Sequence, residues 1–340
     1  MSAEIPAGAM RFNSDSQKLE YWNGLEWFQV HTATPNLASA GDRQPGARGV
    51  FAGGYTDGAQ MEHINISSTG NGTSFGNLTG GSTWKWLSGV SSKTRGVFAG
   101  GLNPGFVSTI QFITIASTGS ATNFTDTLSA SKLAMACISN ETRGIFAGGQ
   151  APGDDHIAAI DYITIASTAE TRADFGDLTE DRRNASGVSS PTRGLVAGGS
   201  VPALTNNIEF VTISTLGRIE DFGELTSART INNGCFSSRT RGVFGGGVTP
   251  GSTDTIEYVT MASTGNGHDF GNLTVSRGEM GGVSSPTRGV FAGGRTAPST
   301  TELNHLDTVE ITTLSNAVDF GDLDTARRAC GSVSNAHGGL

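Results

Sequence analysis

Six histidines and three cysteines are the residues of this 340-residue chain best able to hold a metal ion. Metal centres need such ligands at close, recurring spacings, and these residues form no paired ligand set. His156 follows Asp154 and Asp155 in an acidic segment, which could bind a cation but is more simply interpreted as a solvated turn. Acidic residues elsewhere recur in register, so no catalytic pair stands out. We predict no catalytic residue, no metal site and no cofactor.

These side chains must be positioned by a repeat that runs through most of the chain. One segment recurs six times at steps of 47 to 50 residues: it reads Arg-Gly, then two apolar residues, then Ala or Gly, then Gly-Gly. The copies begin at Arg48, Arg95, Arg143, Arg193, Arg241 and Arg288. We expect these arginines at one level of the fold, either as an anion-binding ring or, as we favour, paired with repeated carboxylates. Such carboxylates are Asp174, Asp221, Asp269 and Asp319.

Each repeat contains four short segments that favour β-strands. The Gly-Gly strand is followed by an apolar, β-branched run such as Ile160–Ala166, a turn, and a short element such as Asp174–Thr179. A segment such as Gly282–Ser285 then leads into the next Arg-Gly. No helical periodicity is present. Because four-stranded units of this length are typical of propeller blades, the sequence predicts an all-β, six-bladed β-propeller.

The end of the chain is predicted to close this ring. Arg328–Asn335 matches the inner-strand pattern, whereas the polar Ala38–Ala47 makes a poor inner strand. We therefore expect the C-terminal strand to complete the first blade by pairing with Arg48–Gly54. Such pairing removes exposed sheet edges.

The cysteines fit the same frame. Cys137 and Cys235 lie six residues before a repeat arginine, where other repeats have glycine, and Cys330 lies at about the same place in the closing strand. We interpret all three as small buried residues on inner strands rather than as a metal or redox cluster. No disulfide is expected.

The order of these features over residues 48–340 resembles the kelch-repeat β-propeller family. The shared features are a second strand ending in Gly-Gly, as at Gly53-Gly54, an aromatic residue on the fourth strand and a loop arginine. Phenylalanine replaces the family's tryptophan at Phe75, Phe124, Phe175, Phe222, Phe270 and Phe320. The loop arginine matches at Arg183, Arg229, Arg277 and Arg327, with Lys132 as a departure. The resemblance implies a kelch-like fold and no particular activity.

Binding is best placed on the loops after each Gly-Gly, because they differ between repeats while the frame stays constant. Neutral variation of exposed loops is the competing interpretation. We expect these loops on one face, beside the connections that carry two tryptophans. The candidate binding residues are Tyr55, Asp57, Trp84, Trp86, Phe106, Asp154, Asp155, His156, Asn206, Asn207, Arg295 and His305.

Residues 1–35 precede the repeats as a separate module, and residues 36–47 form a linker. Three β-prone stretches are separated by polar residues and by Asn23-Gly24, a dipeptide typical of a two-residue type I′ hairpin turn. They predict a small β-meander with more aromatic residues than it can bury alone. We expect the following residues to contact other chains or the propeller: Phe12, Tyr21, Trp22, Trp27 and Phe28.

Residues 8–30 resemble a short anchor module at the ends of tailed-phage fibre and other virion appendage proteins. The stretch reads GAMRFNSDSQKLEYWNGLEWFQV, with an Arg-aromatic-Asn start, an acidic-aromatic strand and a Gly turn before a Trp. The resemblance implies a module that joins an appendage to the particle or to its sister chains. An incidental hairpin that caps the propeller is the alternative.

Composition excludes several other classes. Charged residues make up 16% of the chain and the net charge is −9, which argues against a phosphate-binding surface or a polybasic membrane patch. No apolar run is long enough for a transmembrane helix, and no signal-peptide pattern is visible. Just over half of the 49 glycines fall in register with the repeat, so they indicate a rigid frame rather than disorder.

These features together favour a non-enzymatic phage virion structural protein, made in the host cytoplasm. It would be a tail-fibre or appendage subunit, or a capsid decoration subunit. The expected partners are other virion proteins through residues 1–47, sister chains in a homo-oligomer (a trimer is one option), and a host-surface glycan or protein. Neither nucleic acid nor membrane insertion is expected. A kelch-type protein-interaction scaffold is the first alternative, and a carbohydrate-active enzyme on a propeller is the second.

Overall fold

The computed structural model describes residues 6, 8–13, 18–29, 47–56, 58–81, 83–169, 172–217 and 219–340. This part of the chain is all-β, as predicted, and it contains no helix able to span a membrane. The chain divides into two compact units, Met1–Arg43 and Gln44–Leu340. Asp57, most of the predicted linker and parts of the predicted anchor module lie outside the described residues.

The first unit contains a three-stranded antiparallel sheet. Its strands are β1 (Met10–Asn13), β2 (Lys18–Trp22) and β3 (Trp27–Gln29), paired in that order. The turn after β2 is longer than the predicted two-residue turn, because Trp22 pairs with Trp27 and leaves four residues between them. Asn23 stabilises this loop, since its side-chain oxygen accepts hydrogen bonds from the main-chain N–H groups of Leu25 and Glu26, both at 2.8 Å.

From Arg48 onward the described residues form six antiparallel sheets of four strands, numbered sheets 1 to 6 in chain order. Sheet 1 begins with β4 (Arg48–Ala52), β5 (Gln60–Asn65) and β6 (Thr73–Asn77). Sheet 2 contains β7 (Ser88–Ser91), β8 (Arg95–Ala99), β9 (Thr109–Thr114) and β10 (Thr122–Thr127). Sheet 3 begins with β11 (Ala136–Ser139) and β12 (Arg143–Ala147); after a separate ribbon of β13 (Gln150–Ala151) and β14 (Asp155–His156) come β15 (Ala159–Thr164) and β16 (Ala173–Asp177).

Sheets 4 to 6 follow the same plan. Sheet 4 begins with β17 (Ser186–Ser189) and β18 (Arg193–Ala197); after a ribbon of β19 (Ser200–Val201) and β20 (Ala203–Leu204) come β21 (Asn207–Thr212) and β22 (Glu220–Glu224). Sheet 5 contains β23 (Cys235–Ser237), β24 (Arg241–Gly245), β25 (Thr255–Thr260) and β26 (His268–Asn272). Sheet 6 contains β27 (Gly281–Ser284), β28 (Arg288–Ala292), β29 (His305–Glu310) and β30 (Val318–Asp322).

We call the four positions in each sheet strands a, b, c and d, in pairing order. Strand b is the Arg-Gly segment, and every residue after its arginine is buried because neighbouring sheets cover its faces. Gly49 of sheet 1 has no room for a side chain, since a Cβ there would lie 2.6 Å from Val283 Cγ2 of sheet 6. The repeated glycine is therefore a consequence of close packing between adjacent sheets.

Strand a of sheet 1 comes from the end of the chain, as β31 (Gly331–Ser334). This strand pairs antiparallel with β4, so that Gly331 faces Ala52 and Ser334 faces Gly49. The predicted pairing of the C-terminal strand with Arg48–Gly54 is confirmed. Strands a also contact one another from sheet to sheet, and strand a of sheet 6 contacts strand a of sheet 1. This arrangement is consistent with a β-propeller-like fold.

A serine at the end of every strand a links neighbouring sheets. The Ser91 N–H donates to Ser139 Oγ at 3.1 Å, and the Ser139 N–H donates to Ser189 Oγ at 2.9 Å. Between sheets 2 and 1, Ser91 Oγ donates to the carbonyl of Ser334 at 2.8 Å, and between sheets 6 and 1 the Ser284 N–H donates to Ser334 Oγ at 3.4 Å. These buried hydroxyls satisfy main-chain groups that have no ladder partner between sheets.

The six repeat arginines also join each sheet to the next. Arg95 Nη1 donates to the carbonyl of Ile165 at 2.8 Å, and Arg288 Nη1 reaches the carbonyl of Ile66 at 3.3 Å. The other four make the same contact with the following sheet. In sheets 2 to 5 the guanidinium lies over the aromatic ring of strand c. The favoured pairing with Asp174, Asp221, Asp269 and Asp319 is wrong, because these guanidinium groups contact main-chain carbonyls of the next sheet instead. Arg288 does pair with a carboxylate, but with that of Glu310 on strand c of its own sheet, at 2.9 Å.

Buried ion pairs form where strand d of one sheet leads to strand a of the next. Between sheets 4 and 5, Arg229 Nη2 lies 2.6 Å from Glu257 Oε2, and both side chains are fully buried. Burial lowers the pKa of Arg229, and the charge of Glu257 opposes that shift. Equivalent pairs are Lys132–Asp161, Arg182–Glu209, Arg277–Asp307 and Arg327–Glu62.

The loop arginine assigned to Arg183 is wrong by one residue. Arg182 occupies the buried position and pairs with Glu209, whereas Arg183 is part-exposed and pairs with Asp154. Two adjacent arginines could not be ranked by sequence spacing alone, because only one of them points into the junction.

The junction between sheets 1 and 2 has a neutral pair instead. Trp84, 2% exposed, stands at the position of the buried base, and Gln111, 1% exposed, stands at the position of the acid. Trp84 Nε1 donates to the carbonyl of Thr79 at 3.0 Å. Gln111 Oε1 accepts from the Thr79 N–H at 2.7 Å, as the carboxylates do at the other junctions.

Cys137 lies on β11 and Cys235 on β23, as predicted for inner strands. Cys330 lies before β31, and the strand position equivalent to Cys137 is held by Ser332. The predicted equivalence of Cys330 is therefore wrong. All three are free thiols. Burial raises the pKa of Cys137 to about 12 and the pKa of Cys330 to about 11, which keeps these thiols protonated and unreactive.

Candidate functional site

A cavity of about 60 Å³ lies between the six strands a. Cys137, Cys235 and Ser332 line it, together with Asn233 and His337. Because both thiols are protonated and no carboxylate lines the space, it suits a few water molecules rather than a metal ion.

Each end of this cavity is crossed by a side chain from outside strands a. On the side where strands a end, His337 Nε2 lies 3.2 Å from Ser139 Oγ and 3.1 Å from the carbonyl of Ser91. Burial lowers the pKa of His337 to about 4. On the side where strands a begin, Asn233 Nδ2 donates to the carbonyls of Leu87 and Cys330, at 2.9 and 2.8 Å.

Neither closure was predicted, although Asn233 has a sequence signal. The interval from Arg229 to Arg241 is one residue longer than the interval from Arg182 to Arg193. The extra residue places the Asn233 side chain between the strands a, where it reaches Leu87 and Cys330. His337 follows the last strand and has no counterpart in the repeats.

The b–c loops and the d–a connections meet on one face, which we call the loop face. Main-chain bridges join them, for example between Lys85 and Leu102 and between Gly278 and Arg295. In the d–a connections, six residues other than glycine adopt a positive φ of 52° to 59°. They are Trp86, Ala134, Asn184, Asn232, Glu279 and Ala329. Their main chains are hydrogen-bonded in series, as from the Trp86 N–H to the carbonyl of Ala329 at 2.8 Å.

Two predicted binding residues, Tyr55 and Trp86, come together on this face. Trp86 Nε1 donates to the Tyr55 hydroxyl at 3.1 Å, and the two rings are nearly perpendicular, at 83°. Arg328 Cζ lies 3.8 Å and Lys85 Nζ lies 4.3 Å from the centroid of the Tyr55 ring. A hydrogen bond therefore fixes the two rings against each other, and two cations lie near the Tyr55 ring.

A third predicted residue, Arg295, belongs to the same group. Glu279, 5% exposed, accepts from Arg295 Nε at 2.7 Å and from Arg328 Nη1 at 2.9 Å. Glu302 Oε1 lies 3.6 Å from Arg328 Nε. We define the loop-face cluster as Tyr55, Lys85, Trp86, Glu279, Arg295, Glu302 and Arg328. The b–c loops of sheets 6 and 1 contribute to it, together with the d–a connections between sheets 5 and 6, 6 and 1, and 1 and 2.

The other predicted binding residues that the structure describes lie elsewhere on the second unit. Trp84 belongs to a buried apolar cluster, and Phe106 is part-buried in the b–c loop of sheet 2. Asp154 is exposed and accepts from Gln150 Nε2 at 2.7 Å. Asp155 and the part-buried His156 form β14, and burial lowers the pKa of His156.

Asn206, Asn207 and His305 are placed at the start of strands c in sheets 4 and 6. Asn206 Nδ2 donates to the carbonyl of Leu225 at 3.3 Å, which is a structural role. Asn207 is the first residue of β21. His305 Nδ1 lies 3.8 Å from Asp322 Oδ1 on strand d of the same sheet. The structure therefore brings none of these three into the loop-face cluster.

The predicted anchor residues divide between the two faces of the three-stranded sheet. Phe12, Tyr21 and Phe28 share one face with Met10, and all four are exposed, by 41% to 66%. Trp22 and Trp27 pack together on the other face, with ring centroids 5.5 Å apart.

That second face also carries an ion pair. Arg11 lies 4.2 Å from the Trp27 ring centroid and pairs with Glu20 at 2.9 Å. One face is therefore internally partnered, and the other is apolar and open.

Among the described residues, no group of three or more His, Cys, Asp and Glu side chains is placed to hold a metal ion. A scan against protein-family models gives no match, and a search of curated proteins finds no significant relative.

Proposed function

We propose that this chain is a non-enzymatic structural protein of a phage virion. It would serve as a tail-fibre or appendage subunit, or as a capsid decoration subunit, that presents its second unit for binding to a host-surface glycan or protein. The protein would be made in the host cytoplasm and reside in the virion. The net charge of −9 is in keeping with partners other than nucleic acid or a membrane.

We also propose that sheets 1 to 6 are the blades of a six-bladed, kelch-like β-propeller closed by β31. Three features support this proposal: strands a in contact from each sheet to the next, the repeat arginines that reach the following sheet, and the serine links. The contacts between strands a and the contacts of the repeat arginines each include one between sheets 6 and 1. A crystal structure or a cryo-EM reconstruction of the chain tests this proposal, and six blades around one axis are expected. A ring of five or seven blades, or a set of sheets that does not close, would contradict it.

The open apolar face of the three-stranded sheet is the observation that carries the virion proposal. Phe12 is 66% exposed, Met10 61% and Phe28 42%. A sheet of this size is marginal alone and gains stability by packing its apolar face on a partner. The proposed partners are other virion proteins or sister chains in a homo-oligomer, of which a trimer is one option.

Mass spectrometry of purified virions tests the location. The expected result is that peptides of this chain co-purify with the particles through density-gradient banding and high-salt washing. Their absence from the particles contradicts the proposal and favours the kelch-type interaction scaffold instead. Turnover of a glycan panel that is abolished by metal chelation would favour the carbohydrate-active enzyme.

Light scattering on the purified full chain tests assembly. The double variant Phe12→Ser/Phe28→Ser is expected to reduce the oligomeric mass, because it makes the open face polar. Leu314→Ser is the matched control, since Leu314 is 51% exposed on the second unit, and it should leave the mass unchanged. A wild-type monomer, or an oligomer that both variants preserve, counts against assembly through this face.

A further inference from the structure

We infer that the loop-face cluster binds a carboxylated sugar residue of a glycan, with the carboxylate on Lys85 and the sugar ring on Trp86. This inference rests on the proposed function, because it names the ligand class for the surface that the virion protein would present.

The internal repeat shows which of these residues the fold does not need. Position for position, Leu133 replaces Lys85 in the next connection, and Ala134 replaces Trp86 with the same backbone conformation, at φ 52° against 58°. Leu102 follows Gly-Gly in sheet 2, where Tyr55 does in sheet 1. In sheet 2 and the connection after it, aliphatic or small residues thus give the same local structure as Lys85, Trp86 and Tyr55 do. The fold therefore does not explain why a cation and two large aromatic rings occupy these positions.

The charges of the cluster leave one cation available. Arg328 and Arg295 share the buried carboxylate of Glu279, and Arg328 also faces Glu302. Lys85 makes no ion pair within the described residues, and its ammonium rests near the Tyr55 ring. Three cations against two carboxylates give the cluster a local excess of positive charge in a chain of net charge −9. An anionic group is therefore the complementary ligand.

Aromatic geometry favours a saccharide over a flexible anion. The Trp86 indole is fixed at one end by its hydrogen bond to Tyr55, and the side chain is only part-buried. A preorganised ring costs little ordering entropy on binding, and its flat face can pack against the C–H groups of a pyranose. A carboxylated sugar supplies both a flat apolar face and a charge within one residue.

Titration calorimetry on the purified full chain tests the inference. The probes are tetragalacturonate, a hyaluronan tetrasaccharide and 3′-sialyllactose, each compared with its carboxyl-methyl ester. At least one acid is expected to bind, with its ester at least tenfold weaker and with affinity that falls as salt rises. Binding should also change tryptophan fluorescence.

The variants are taken from the other repeats, so that each is compatible with the local fold. Lys85→Leu and Trp86→Ala are each expected to weaken binding at least tenfold. Arg183→Leu and Asn184→Ala, at the equivalent positions of the connection between sheets 3 and 4, are the matched controls and should leave affinity unchanged.

Three outcomes overturn the inference: no binding by any of the three acids at millimolar concentration, equal binding of acids and esters, or equal losses in the variants and their controls. If the chain is found in virions but fails these binding tests, the proposed ligand is refuted and the virion proposal stands. A chain that binds the acids but is absent from virions refutes the virion proposal alone. If all three acids fail and a protein receptor binds the wild-type chain but not Lys85→Leu, the inference is overturned and the surface is a protein-binding one.

Discussion

The junction between sheets 1 and 2 differs from the five other junctions in two ways at once. The others bury an ion pair such as Arg229–Glu257, whereas this one buries Trp84 and Gln111. On the loop face directly after Trp84, the same connection carries Lys85 and Trp86. At both kinds of junction the strand c side chain accepts a hydrogen bond from a main-chain N–H of the preceding d–a connection, that of Thr79 for Gln111 and that of Thr226 for Glu257. The position therefore requires an acceptor, and the acceptor need not be charged.

Neutralising one partner of a charged junction should have the largest effect. Glu257→Gln leaves Arg229 as a fully buried, uncompensated cation, and the expected loss in free energy of unfolding is about 3 to 5 kcal/mol. Urea unfolding measures it. A loss of less than about 1 kcal/mol would show that a neutral acceptor serves equally well at every junction, and the contrast with Gln111 would disappear.

The reverse change tests the neutral junction. Gln111→Glu places a carboxylate beside Trp84 with no cation to match it, and the expected loss is about 2 to 4 kcal/mol. Trp84→Arg/Gln111→Glu recreates the charged pair and should be more stable than the sum of its single variants implies. Strict additivity in this double-mutant cycle would mean that the two positions do not interact.

Acid titration sharpens the comparison once the contribution of His337 is removed. Its folded pKa of about 4 lies below the ordinary value of 6.5, so the unfolded chain binds this proton more tightly. The corresponding stability is complete above about pH 6.5 and is lost as the pH falls toward 4, by at most about 3 kcal/mol.

His337→Gln should flatten that part of the stability curve, measured by urea unfolding at a series of pH values. The imidazole faces Ser91 and Ser139 and lies within the influence of Glu141, whose charge opposes the shift only weakly. A wild-type curve that is already flat between pH 6.5 and 4 would show that the imidazole is solvated there.

The smallest effect is expected on strand d of sheet 2. Five sheets have glycine after the strand d phenylalanine, at a φ of 130° to 148°, but sheet 2 has Thr125. Its Oγ1 donates to the carbonyl of Thr168, so Thr125→Ala should cost about 0.5 to 1 kcal/mol. Gly271→Ala is the contrasting variant and should cost more, because a Cβ there meets the main chain of Ser315. Similar losses for the two would remove this distinction between sheet 2 and the others.

Much of the fold could be predicted from the chain, because the fixed period of Arg-Gly and Gly-Gly marks strand b six times. The pairing of β31 with β4 followed from the same register. The partners of the repeat arginines could not be predicted, since Arg95 binds main-chain carbonyls, and these leave no trace in the residue types. The acids of strand c are visible in the sequence among apolar residues, but their partners lie in the d–a connections. The partner of Glu257 is the earlier Arg229, and the partner of Glu62 is Arg327, near the end of the chain.

The candidate site was only partly predictable for the same reason. Tyr55, Trp86 and Arg295 were among the candidates because they differ between repeats. Lys85, Glu279 and Arg328 were missed, because only the tryptophans were taken as candidates from the d–a connections. Tyr55 and Arg328 are far apart in sequence and meet only through the contacts between sheets 6, 1 and 2.

The pairing of β31 with β4 has a consequence for synthesis. Sheet 1 lacks its strand a until residues 331–334 have been synthesised. One edge of β4 therefore stays unpaired through most of translation. A nascent chain interrupted at any earlier point carries an exposed edge and an open row of strands a. A chain without residues 331–334 therefore leaves one edge of β4 without its antiparallel partner.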